Sequence, residues 1–235
     1  MIRAFLIAAA LTAVTMPVAY AACAPGPQPE INITASESEP RFDYWLTQSQ
    51  LEKFRGNAEV PASAIYDLTV NAMSVGKLQV THDVKFTTQT MPDKQMCIQV
   101  AQVDIHIHLD PAIYIAKELR SEACEYKEYL LHEMKHVEED RRIIGDYKAI
   151  ITRNMNFAFP AIADYSVGPV PASIKKDAQE KLSGNITGTL QATVDSMMRE
   201  RQERQRAIDN TGEYMRLARA CTEGGPGVKP SLRKP

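Results

Sequence analysis

The chain has 235 residues, with 27 Lys and Arg against 29 Asp and Glu, a formal net charge of −2 at pH 7. Near-neutral charge and no basic stretch interleaved with aromatics exclude an electrostatic nucleic-acid binder. A single apolar run, at the N-terminus, excludes a polytopic membrane protein, and the length allows one domain with a substantial core.

Residues 1–21 read as a bacterial secretory signal. Arg3 precedes an uncharged apolar run over residues 4–18, and Ala19-Tyr20-Ala21 supplies an A-x-A cleavage site. The run is too short and too rich in small residues for a membrane span, so a periplasmic or secreted protein is expected. Lipidation of Cys23 is disfavoured, because Tyr20 stands where a lipobox takes Leu or Val. Residues 22–57 are expected as a linker or N-terminal segment, 58–221 as the principal domain and 222–235 as a disordered tail. Cys23, Cys97, Cys124 and Cys221 remain after cleavage. An even count in an exported chain predicts two disulfides, with three possible pairings. The pairing Cys97–Cys124 would join helix to sheet, leaving Cys23–Cys221 to tie the termini.

From residue 30 to 110 the pattern is mostly β. Segments 79–90 and 97–109, joined by Met91-Pro92-Asp93-Lys94, predict a hairpin. Val103, Ile105, Ile107 and Leu109 alternate with Asp104, His106 and His108, so that strand is half buried. Its edge would let an extended peptide add as a further strand. Residues 67–75 fit a strand or a short helix. Asp110-Pro111 should close the β region, with 112–119 helical beyond it.

Residues 122–155 contain no proline and one glycine, Gly145. Leu130, Met134, Val137, Ile144, Tyr147, Ile151 and Met155 step as one helix face, with Ser121 as N-cap. Residues 157–171 carry three prolines and read as a loop. A second long helix then runs from Ser173 toward Arg219, with Leu182, Ile186, Leu190, Val194, Met197 and Ile208 as its stripe. Gly184, Gly188 and Gly212 are its weak points. The two helices should pack antiparallel beside the sheet, an α+β arrangement.

Inside the first helix stands His132-Glu133-Met134-Lys135-His136, an H-E-x-x-H signature. Histidines at i and i+4 share a helix face and can hold one Zn²⁺, and the glutamate between them can reach a metal-bound water. A catalytic zinc needs a third protein ligand. A metzincin continuation is excluded, because Glu139 and Arg142 replace its glycine and histidine. Asp140 lies roughly 12 Å along the helix from His132, which suits orientation of an imidazole or plain solvation rather than ligation. The second helix offers Glu180, Asp195, Glu200, Glu203, Asp209 and Glu213. His106 and His108 offer an H-x-H pair, more often the wet face of a strand.

A β segment with a cysteine, an H-E-x-x-H helix, a loop and a long helix follow in that order over residues 67–221. In this the chain resembles a poorly characterised bacterial group of predicted secreted zinc-dependent proteases. There the long helix ends in a segment like Arg-Gln-x-x-Tyr-Asp-x-x-Thr-x-His-Gly. Here the stretch from Gln205 to Tyr214 keeps Asp209, but has Ile208 for the tyrosine, Gly212 for the threonine and Tyr214 for the histidine. The resemblance implies a zincin-like fold: an antiparallel β region, the H-E-x-x-H helix and a long C-terminal helix. It further implies an exported zinc-dependent metallopeptidase acting on a peptide or protein, with Zn²⁺ on His132 and His136; if the family histidine is a ligand, Glu213 is expected in its place, the other outcomes being Tyr214 or a lost site. Glu133 would be the general base, with Tyr147 or Tyr214 beside the oxyanion. The alternative is a catalytically inactive exported zincin-like binding or scaffolding protein. The replaced tyrosine and histidine favour that alternative, with the charged run over 196–219 as a partner surface.

Overall fold

One long strand organises the molecule. In the computed structural model, residues 23, 24, 26–57, 70–159 and 165–221 are described. The expected leader and tail lie outside them. β3 (Ala72–Thr90) turns over residues 91–95 into β4 (Met96–Ile115), and the two run antiparallel along their whole length. The expected hairpin is present, with both strands longer than the alternating pattern suggested. Pro111 does not end β4. It falls where β1 (Glu30–Glu37) has left the neighbouring edge after Leu109 and β2 (Arg41–Asp43) begins at Ala112, a gap in that ladder that tolerates proline.

Because β3 takes one edge of β4 throughout, β1, β2 and β5 (Ser166–Val170) follow one another along the other edge. β1 and β2 are parallel to β4, and β5 is antiparallel. The sheet is therefore mixed rather than antiparallel. The difference arises in residues 30–43, where Ile31, Ile33 and Ala35 alternate with Asn32, Thr34 and Ser36 to make a strand of what was expected as a linker or N-terminal segment. β4 is thus the central strand, and the edge expected to accept a peptide is already paired.

α1 (Gln48–Asn57) packs near the C-terminal end of β4, and a 3-10 turn (Lys117–Ser121) leads into α2 (Ala123–Phe157). α3 (Lys175–Ile208) and α4 (Thr211–Ala220) follow. α2 and α3 lie antiparallel: Asn154 donates to Thr193 at 3.1 Å, Tyr147 to Glu200 at 2.9 Å, and Arg201 to Asp140 at 2.7 Å. Between these helices and the sheet, Ile105, Ile107 and Leu109 pack with Ile143, Ile151, Met155, Ile186 and Met197. Each such side chain contributes roughly 1.5–3 kcal/mol of burial. α3 runs straight through Gly184 and Gly188, whose Cα positions face open space, at about 1 kcal/mol of helix propensity each. It stops at Ile208, and Asn210 caps the next helix by accepting from the Glu213 N–H at 3.0 Å.

The cysteines pair as Cys23–Cys97 and Cys124–Cys221. The expected pairing fails for a geometric reason. Cys97 opens β4 while Cys124 follows its far end, which at about 3.3 Å per residue separates them by tens of ångströms. Two disulfides are compatible with export to an oxidising compartment. Among the described residues, no helix is long and apolar enough to cross a membrane.

Candidate metal centre

α2 and the α3–α4 break assemble the centre. His132 and His136 stand one turn apart on α2, with ring centroids 5.0 Å apart and planes at 86°. α3 ends one residue before Asp209, so this carboxylate is presented at the break, facing α2. Asp209 Oδ1 lies 3.2 Å from His132 Nε2 and 3.1 Å from His136 Nε2. The three donor atoms all fall within 4.8 Å of one another. A tetrahedral zinc with bonds of about 2.0–2.1 Å sets its ligands roughly 3.3 Å apart, so this group is able to hold such an ion after small adjustments. His132 is 3% exposed, while the Asp209 side chain is 29% exposed and marks the open side.

The residues behind the ligands form a second line. His132, His136 and Asp140 follow i, i+4, i+8 on α2, and Arg201, Gln205 and Asp209 repeat that spacing antiparallel on α3 and its C-cap. His132 therefore meets Asp209, His136 meets Gln205, and Asp140 meets Arg201. Gln205 Oε1 contacts His136 Nδ1, and Gln205 Nε2 donates to Asp140 Oδ1 at 2.6 Å. Asp140, expected to orient an imidazole or simply to be solvated, reaches His136 through this amide.

Glu213 occupies a different place from the one expected. Its Oε1 is 3.3 Å from His132 Nδ1, the nitrogen turned away from Asp209, and it also accepts from Lys135 Nζ at 2.6 Å and Arg216 Nη2 at 2.9 Å. Arg216, then Lys135 and His132, hold its carboxyl down at about 2 against the effect of burial. Glu213 thus contacts the far side of His132, and Asp209 is the carboxylate that groups with the two Nε2 atoms. Of the two tyrosines expected near an oxyanion, Tyr147 donates its hydroxyl to Glu200, whereas the Tyr214 ring centroid is 6.2 Å from that of His132. His106 and His108 lie on the opposite face of the sheet, bonded to the hydroxyls of Thr34, Ser36 and Ser38. Among the described residues, His132, His136 and Asp209 form the one group with metal-ligand geometry.

Glu133 is 4% exposed and sits beside Ser74 of β3. Burial pushes its carboxyl up, partly offset by the nearby His136 and His132. Burial alone would lower His136, but the Asp209 hydrogen bond and the Glu133 charge raise it to about 9. Burial would raise Asp209, yet hydrogen bonds from His132 and His136 hold it well below the usual carboxylate range.

These directions give a pH prediction for the metal-free protein. Glu133 and His136 both bind protons more tightly folded than unfolded, so stability falls as pH rises. For His136 the contribution is complete below its ordinary 6.5 and lost through about 9. Chelator-treated protein should lose on the order of 2 kcal/mol between those limits, read from denaturation midpoints. Saturating zinc should remove the fall, because the ligands bind it deprotonated. A pH-independent midpoint in the chelated protein would contradict this electrostatic picture.

Sequence reading missed Gln205, Arg201, Ser74 and Gly76, although the four-residue steps back from Asp209 were a signal for the first two. No family model, curated protein or solved structure matches the chain.

Proposed function

We propose that the protein is an exported zinc-dependent peptidase, with Zn²⁺ held by His132, His136 and Asp209 and with Glu133 as general base. The observation that carries this reading is the convergence of both Nε2 atoms on one Asp209 oxygen, with a buried glutamate beside the first histidine. Two imidazoles and a carboxylate suit zinc, and three protein ligands leave one position of a tetrahedron for water. Bound there, the ion would supply Lewis acidity, lowering the pKa of water and polarising a carbonyl. Glu133, its carboxyl pushed up by burial, would accept the proton of the attacking water and return it to the leaving amine. Among the described strands β3 pairs β4 alone. Its Ser74 lies beside Glu133 and its Gly76 beside Asp140, so an extended peptide is expected to add along β3 rather than β4.

The burial of His132, Glu133 and His136 favours a second reading, a non-catalytic exported module in which the metal ties α2 to α3. An unfolded protein substrate separates the two. The zinc-loaded mature chain should cleave it, lose that activity on chelation and regain it when zinc is returned. A chain that holds zinc and cleaves nothing is the binding module.

A further inference from the structure

We propose that Gln205 is the positioning residue of the centre, fixing the His136 imidazole with Nδ1–H against its own carbonyl and Nε2 toward Asp209. This deepens the metal-centre reading and, for its bearing on metal, rests on it.

The orientation of the amide follows from its partners. Gln205 Nε2 lies 2.6 Å from Asp140 Oδ1 and 3.0 Å from the His136 carbonyl oxygen. A carboxylate and a carbonyl only accept, so the NH₂ group must face them. A flipped amide would set oxygen against two acceptors. The carbonyl Oε1 is thereby left for His136 Nδ1, and an acceptor there requires Nδ1 to carry the proton. In the metal-free protein Nε2 bonds Asp209 through its own proton, and that is the proton a metal would displace, leaving the Nε2 lone pair to the ion.

Asp140 is in turn immobilised. It is 3% exposed and receives Arg201 Nε and Nη2, each at 2.7 Å. Arg201 Nη2 also donates to the Gly76 carbonyl on β3 at 2.9 Å. A Cβ on Gly76 would lie 2.1 Å from Asp140 Oδ2 and 2.7 Å from Arg201 Nη2, so the strand can approach the pair only as glycine. Sheet, α2 and α3 therefore lock one imidazole orientation through Gly76, Arg201, Asp140 and Gln205.

Gln205→Leu keeps side-chain bulk and removes both ends of the amide, and Gly76→Ala perturbs the chain without touching a ligand. Two measurements on each variant test the assignment. In the metal-free protein labelled with ¹⁵N-histidine, wild-type His136 should show an exchange-protected Nδ1–H that Gln205→Leu loses. Zinc affinity, by competition with a chelating dye, should fall about 10–100-fold in Gln205→Leu and less in Gly76→Ala. A protected Nδ1–H in folded Gln205→Leu, or wild-type zinc affinity in it, overturns the proposal. If Gln205→Leu does not fold, Gly76→Ala decides: unchanged zinc affinity and an unchanged Nδ1–H signal overturn it. A wild type that binds no zinc, yet shows the Nδ1–H signal and loses it in the variants, upholds Gln205 and sinks the metal reading instead.

Discussion

Glu133→Gln is expected to lower peptide turnover by about 10²–10⁴-fold while zinc stays bound. The amide matches the carboxylate in shape and can still meet the Ser74 hydroxyl, so the buried environment is kept. It cannot take a proton from water at neutral pH, so the loss falls on the chemical step. Because Glu133 contributes no donor atom to the ligand group, metal content should not change. The substitution also removes a buried carboxyl whose ionisation burial disfavours, so the thermal midpoint should hold or rise. Kinetics on a quenched fluorescent peptide, beside metal analysis of the same preparation, read both effects. Turnover within threefold of wild type would remove Glu133 from the mechanism.

Replacing Cys124 and Cys221 together with serine should cost about 4 kcal/mol of stability. The bond closes a loop across 97 positions, and in the chain-entropy model such a cross-link is worth about 4–5 kcal/mol through the unfolded state. In a domain of this size that corresponds to a fall in thermal midpoint of about 10 °C. The effect should also reach the centre. α4 buries one described side chain, Leu217, so its attachment to α2 depends heavily on the Cys124–Cys221 bond and on the Arg216–Glu128 and Lys135–Glu213 pairs. Loosening α4 frees Glu213 from His132, and zinc affinity should weaken with stability. Thermal denaturation and zinc competition on the double variant check this. A midpoint within 2 °C of wild type would contradict the role given to the bond.

Where the sequence was informative, the reason is periodicity. The H-E-x-x-H helix, its apolar face and the β3–β4 hairpin repeat every three to four or every two residues, and local pattern is enough to place them. The mostly β reading from residue 30 covered β1, but its place in the sheet escaped because parallel pairing with β4 depends on a partner about seventy residues away rather than on a turn. The extra length of β4 escaped because Asp110-Pro111 looks like an ending until β1 and β2 are seen to leave a gap there. The disulfide pairing depended on which ends of β4 and α2 meet, a tertiary fact. For the third ligand, Asp209 and Glu213 are four residues apart and both belong to the centre. The choice between them turns on a helix break after Ile208, which puts Asp209 on the Nε2 side and Glu213 on the Nδ1 side of His132. No composition rule distinguishes those two nitrogens.

The most direct test is the zinc stoichiometry of the purified mature chain, measured beside Asp209→Ala and Glu213→Ala. The predicted result is about one zinc per wild-type chain, none retained by Asp209→Ala, and an intact but about 10–100-fold weaker site in Glu213→Ala. A wild type without zinc, or an Asp209→Ala chain that keeps it, would contradict the assignment of His132, His136 and Asp209 as the metal centre.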